Sequence, residues 1–377
     1  MKYVDEYRDG ALARGIAATI AAEVLPDRRY AFMEFCGGHT HAISRYGIED
    51  LLPENLRMIH GPGCPVCVLP VGRIDDAIRL AANPAVTLCT YADLMRVPGS
   101  HGASLLKAKA AGADIRMIYS SLDAVRIAAA EPGREVVFFA IGFETTTPPT
   151  AIALRQAIAK GLTNFSIFCN HVLTPVAMRT ILDTNDEPPI AIDGFVGPSH
   201  VSSIIGLAPY REFAEAYRKP VVIAGFEPLD VMQAILMLVR QVNEARAEVE
   251  NQYIRAVTEA GNLIAQHAIP EVFELRDSFE WRGLGNVAAS ALKLRDAFAA
   301  YDAEQRFAVR TIAAADNPAC ECPAILRGRK KPADCKLFGT ICTPETPTGA
   351  CMVSSEGACA AHYTYGRFRT HQMQVAS

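Results

Sequence analysis

Four cysteines near the C-terminus, Cys320, Cys335, Cys342 and Cys359, follow one another with the spacing C-x14-C-x6-C-x16-C. Four thiolates are the ligand set of an iron–sulfur cluster or of a structural zinc ion. Zinc folds usually gather their ligands in tight C-x2-4-C knuckles, which these gaps do not form. Wide, unequal gaps suit a cubane that draws ligands from separate loops, so the spacing favours a cluster over zinc or a metal-free tail. Cys322 and Cys351 lie among the four. A disulfide or thiol relay, spare thiols and exchanged ligand assignments are all open for this pair.

A second concentration of chemistry lies near the N-terminus. Phe35-Cys36-Gly37-Gly38-His39-Thr40-His41 joins a thiol, two glycines and two imidazoles directly after an apolar run. Glycines permit a tight turn and let a ligand approach backbone N–H groups. His39 or His41 is placed to lower the thiol pKa of Cys36 or to add a nitrogen ligand. A buried cysteine beside turn histidines is the plainer alternative, and the density of the motif argues against it. His60-Gly61-Pro62-Gly63-Cys64-Pro65-Val66-Cys67 follows the next apolar run. Its C-x-x-C ahead of a helix, expected to begin near Pro70, is the thiol–disulfide arrangement. No second C-x-x-C exists, so a Cys64–Cys67 redox pair is favoured over half a zinc site.

Other candidates carry less. Gly142-Phe143-Glu144-Thr145-Thr146-Thr147 and Gly194-Phe195-Val196-Gly197-Pro198-Ser199-His200 resemble polar strand-to-helix loops. They are suited to an anion at a helix N-terminus, and neither is a Walker A loop. Glu144, Thr145 and His200 are expected to line one cleft. Glu227 and Asp230 read as a helix N-terminal charge and cap. Cys89 and Cys169, inside apolar runs, read as packed thiols. His101, His267, His362 and His371 lack clustered partners and read as surface or loop residues. Trp281 is expected to pack beside the long helices.

The elements that must position these groups follow from the apolar pattern. Near-continuous apolar runs occur at 30–35, 56–59, 86–89, 115–119, 136–141, 165–168, 191–195 and 221–224, with helical periodicity between them. This β-α-β-α order implies parallel sheets of the doubly wound type. A polar turn, Glu131-Pro132-Gly133-Arg134, falls at the midpoint, and Gly142-Phe-Glu144 is echoed by Gly225-Phe-Glu227. The expected architecture is therefore α/β, with two similar parallel-sheet units, 30–128 and 129–228. Residues 1–29 and 229–377 would form a helical, cysteine-rich iron–sulfur domain. From Leu229 the residues Val231, Ile235, Leu238, Val239 and Val242 share a helical face.

Composition narrows the function classes. The chain has 377 residues, half of them hydrophobic, eleven cysteines and a formal net charge of -4. The acidic balance argues against a nucleic-acid footprint. No apolar run reaches about 18 uncharged residues, so no membrane span is expected. The charged start lacks a signal-peptide core, which points to the cytoplasm. Eleven cysteines in that compartment indicate metal or redox chemistry over structural disulfides.

Cys36-Gly-Gly-His-Thr-His41, Gly61-Pro-Gly-Cys-Pro-Val-Cys67, Gly142-Phe-Glu-Thr-Thr146 and the cysteine tail, taken in this order, resemble the HypD family of hydrogenase maturation factors. The resemblance spans essentially the whole chain without a departure from these motifs. It implies a [4Fe–4S] cluster on Cys320, Cys335, Cys342 and Cys359. It implies an additional iron at Cys36 that carries CN and CO ligands and is shared with a cysteine of the small chaperone HypC. It implies a nearby functional role for His39, a redox role for Cys64 and Cys67, and HypE as cyanide donor. The expected function is a maturation scaffold with redox activity for the Fe(CN)2CO group of [NiFe] hydrogenases. Its rival is an iron–sulfur-dependent protein thiol–disulfide reductase; a pure binding module is disfavoured by the cysteine count.

Overall fold

The computed structural model describes residues 4–183 and 189–367; His371 lies outside them. All eight expected strands form. They are β1 (Tyr30–Glu34), β2 (Leu56–His60), β3 (Val86–Thr90), β4 (Ile115–Met117), β5 (Glu135–Gly142), β6 (Phe165–His171), β7 (Gly194–Pro198) and β8 (Val221–Ala224), joined by a short β9 (Val249–Asn251). Every pairing among them is parallel.

Two sheets result, with strand orders β2-β1-β7-β8-β9 and β4-β3-β5-β6. The chain leaves the first sheet after β2, builds the second, and returns at β7. Segments 30–128 and 129–228 thus each contribute strands to both sheets. The midpoint turn Glu131–Arg134 lies inside the second sheet's unit, between the helix Ser121–Ala130 and β5. Sequence order shows that strands alternate with helices but not which strands become neighbours, because a parallel crossover can skip positions.

Side chains alternate across each sheet and so divide between cores. Tyr30 and Phe32 of β1 face an outer core with Ile235, Leu238 and Val239 of the helix Pro228–Asn243. Ala31, Met33 and Phe35 face the opposite way, into a central core that also receives Val137, Phe139 and Ile141 of β5. Val136, Phe138 and Ala140 cover the far side of the second sheet. One shared core therefore holds the two sheets against each other. The helix Pro228–Asn243 starts as expected: the Glu227 peptide N–H donates to Asp230 Oδ2 at 3.2 Å, and Pro228 fills the first helical position.

The C-terminal region differs from the helical expectation. Four short strands, β10 (Phe273–Leu275), β11 (Ser278–Trp281), β12 (Gly285–Ala288) and β13 (Leu292–Leu294), pair antiparallel as β10 with β13 and β11 with β12. Trp281 lies on this hairpin, not beside the long helices. It packs on Phe143 with ring centroids 6.2 Å apart and donates from Nε1 to Ser290 Oγ at 2.8 Å. Beyond it the tail is a series of short helical turns and loops. Cys322, Ile325, Leu326, Cys342 and Met352 tie it into the central core.

Candidate functional site

In an open α/β sheet, ligands bind outside the carboxyl ends of the strands, where the strand order reverses. In the first sheet that point lies between β1 and β7. Cys36 follows β1 and His200 follows β7, and Cys36 Sγ lies 3.8 Å from His200 Nδ1. In the second sheet the order reverses between β3 and β5, which are followed by Tyr91 and by Gly142–Thr146. Both points open onto one cleft of about 590 Å3, lined by Cys36, Cys64, Tyr91, Thr145, His200 and Glu356 among others.

Cys36 is the N-cap of the helix Gly37–Tyr46 and is buried. Its peptide N–H donates to Glu34 Oε2 at 2.8 Å. Glu34 is itself fully buried and also accepts from the Thr40 hydroxyl and contacts His60 Nδ1 at 2.9 Å. One carboxylate thus ties together the end of β1, the first turn of the helix and the end of β2. Burial, then the charges of Glu356 and Glu34, push the Cys36 thiol well above its usual range, against a pull from the amides of Gly38 and His39. The free thiol is therefore held protonated.

The imidazoles divide. His39 is buried, and its Nε2 lies 2.9 Å from the Ala224 carbonyl oxygen at the end of β8. Its ring packs on Phe226, which in turn packs on His200, at centroid distances of 5.0 and 4.1 Å. His39 Nδ1 has no hydrogen-bond partner among the described residues. His41 turns toward the tail, with Nδ1 3.3 Å from the Ser355 carbonyl oxygen. Thr145 and His200 line the cleft as expected, but Glu144 does not. Glu144 is buried and accepts from the Thr174 N–H and hydroxyl, both at 2.9 Å. Its role is to dock its loop on the helix Thr174–Asp183.

Cys64 and Cys67 form a disulfide with Cα atoms 5.2 Å apart. Cys64 caps the single turn Pro65–Val68, and the longer helix Val71–Ala81 begins after Pro70, as expected. The loop is pressed against Cys36, because β1 and β2 are neighbours in register from Tyr30 and Leu56. The Gly37 N–H donates to the Gly63 carbonyl at 3.1 Å. A Cβ on Gly63 would collide with the backbone of Phe35 and Cys36, so only glycine allows this approach. Cys67 Sγ lies 4.0 Å from the Ala350 carbonyl oxygen, which joins the disulfide to the cysteine tail.

In that tail Cys320, Cys335, Cys342 and Cys359 line one small cavity, together with Cys322. Cys351 is buried within hydrogen-bond contact of Cys322 and Cys359. Among the described residues no group of three or more His, Cys, Asp or Glu side chains is arranged to hold a single metal ion. Cys320, Cys335 and Cys342 sit in loops, Cys322 and Cys359 in the short helices Cys322–Leu326 and Ala358–Ala361, and Cys322 is in hydrogen-bond contact with Cys320, Cys351 and Cys359. A Cβ on Gly349 would strike the sulfurs of both Cys320 and Cys322, so the chain is kept bare beside them. An all-sulfur donor set walled by Phe338, Leu337 and Met352 fits an iron–sulfur cluster in chemistry and in dryness.

Sequence reasoning missed Glu34, His60 and Glu356. Glu34 ends an apolar strand, and His60 only opens the motif that carries Cys64 and Cys67. Glu356 gives no local signal: it reaches the cleft because the tail folds back, its side chain standing where a Cβ on Gly37 would fall.

Fold and site together define a doubly wound α/β protein that gathers thiols at its strand ends. The family model HypD, described as "Hydrogenase formation hypA family", matches residues 11–366. The chain is 72% identical to the "Hydrogenase maturation factor HypD" of Rhizobium leguminosarum bv. viciae, covering 100% of this chain and 98% of that protein. It is 66% identical to the protein of that name from Cupriavidus necator, over 98% of each chain. It is 48% identical to that of Escherichia coli (strain K12), over 97% of this chain and 98% of the other. The chain belongs to the HypD family of hydrogenase maturation factors.

Proposed function

We propose that this protein is a cytoplasmic scaffold and redox component that assembles the Fe(CN)2CO group of [NiFe] hydrogenases. It would work with the small chaperone HypC and with HypE as cyanide donor. The observation that carries this reading is the Cys36 loop packed directly on the Cys64–Cys67 loop at the floor of one cleft. Among the described residues no helix is long and apolar enough to cross a membrane.

The iron is cargo. Cys36 supplies one soft thiolate for it, and a HypC cysteine supplies another. Because burial and carboxylates hold the Cys36 proton in place, the thiol stays unreactive until a cation displaces that proton. Glu34 fixes the backbone of Cys36 so that its sulfur faces the cleft side bearing His200. His39, anchored by the backbone of β8, orients the wall behind it. The disulfide opens to two thiols on taking up two electrons and two protons, within the same cleft. Cys320, Cys335, Cys342 and Cys359 would hold a [4Fe–4S] cluster, which when bound supplies electrons one at a time.

A protein thiol–disulfide reductase is the second reading, favoured by Cys64 lining the open cleft while disulfide-bonded. Infrared spectroscopy of the anaerobic protein with HypC separates the two. A scaffold shows metal-bound CO and CN bands and one iron beyond the cluster. A reductase shows neither and turns over a disulfide substrate.

A further inference from the structure

Arg282 lies in the tight turn between β11 and β12 and is 3% exposed. Its Nε, Nη1 and Nη2 all lack a hydrogen-bond partner among the described residues. Asp316 Oδ1 stands 3.3 Å from Nε, without hydrogen-bond alignment, and that carboxylate is itself partly exposed. Guanidinium stays protonated in proteins and carries five donors. A buried cation whose ion-pair partner, Asp316, accepts none of its hydrogen bonds is disfavoured unless a further anion satisfies those donors.

The position of the turn identifies the anion. The Arg282 peptide N–H donates to the Val68 carbonyl at 2.7 Å, one residue beyond the Cys64–Cys67 disulfide. On its other side Gly283 is pressed against the helix Cys322–Leu326: a Cβ there would stand 3.1 Å from the Pro323 carbonyl oxygen. That helix forms one wall of the thiol cavity. The acidic groups around Arg282 are Asp316, Glu280 and the Cys320 thiol.

We infer that Arg282 is the buried counter-charge of the iron–sulfur cluster, its idle donors complementing the negative charge of the thiolate–cluster assembly built on Cys320. This rests on the cluster reading above. A cation beside the cluster favours the more negative, reduced state and so raises its reduction potential.

The test is a potentiometric titration of the holoprotein, followed by electron paramagnetic resonance, with iron and sulfide analysis and far-ultraviolet circular dichroism on each variant. Arg282→Gln is expected to keep the fold and to shift the reduction equilibrium at least tenfold toward the oxidised cluster, about 59 mV for one electron. Arg282→Lys, which keeps the charge, is expected to recover most of that shift. If Arg282→Gln folds but cannot retain the cluster, retention by Arg282→Lys supports the inference, and equal loss from both overturns it. A cluster-loaded Arg282→Gln with the parent's potential also overturns it. Parent protein devoid of iron and sulfide would instead overturn the cluster reading itself.

Discussion

At the scale of single residues, Cys36 depends on a carboxylate that its motif does not contain. Glu34 accepts from the Cys36 N–H and from the Thr40 hydroxyl and meets His60. Glutamine in its place offers one accepting oxygen instead of two, so at least one of these contacts is lost. Breaking a buried, charge-assisted contact costs about 1–3 kcal/mol. Glu34→Gln should lower the melting temperature and weaken iron loading at Cys36 several-fold, with cluster iron and sulfide unchanged. Unaltered melting and loading would remove Glu34 from the site. Cys36, Cys64 and Cys67 were legible in the sequence because thiols beside glycine and proline after an apolar strand have few structural uses. Glu34 was not, since a carboxylate ending a strand reads as solvent-facing. Only the pairing of β1 with β2 shows that it is enclosed.

At the scale of elements, the loops after the strands carry the chemistry and the strands carry the packing, and the thiols divide in the same way. Burial pushes Cys89 up to about 12 and Cys169 up to about 11, so neither forms a thiolate at neutral pH. Thiol trapping under native reducing conditions should therefore label Cys64 and Cys67 and spare Cys89 and Cys169. Labelling of the strand cysteines first would contradict that division.

The loop after β5 shows a different constraint. Burial pushes Glu144 from 4.5 up to about 7, against hydrogen bonds from the backbone and Thr174. Between those values the folded chain keeps a proton that the unfolded chain has released. Stability from this group is therefore intact below pH about 4.5 and is lost as pH rises through about 7, by up to about 3 kcal/mol. Relative to the parent, Glu144→Gln should gain stability between pH 5 and 8, measured by denaturant unfolding. Parallel pH profiles would refute the shift. The parallel strands were legible because β-branched and aromatic runs buried on both faces stand out from amphipathic helices. The hairpins β10–β13 were not, because strands of three or four residues hold too few alternations to show a period.

At the scale of the whole molecule, the two sheets are interleaved in the chain and share one core. This brings the ends of β1, β2, β3, β5 and β7 to a single cleft and folds the tail under it. The composition and the β-α-β order showed the class of fold. Strand neighbours depend on long-range contacts that no local pattern records, so the meeting of both switch points at one cleft emerged only from the structure. That placement puts a buried thiol, a neighbouring disulfide and a sulfur-lined cavity within one continuous body of packed side chains. We propose that cargo iron sits on Cys36, a claim open to infrared spectroscopy of anaerobic complexes with HypC. The parent protein is expected to show metal-bound CO and CN bands. Cys36→Ala is expected to lose them while its cluster iron and sulfide remain. Persistence of those bands in Cys36→Ala would contradict the claim.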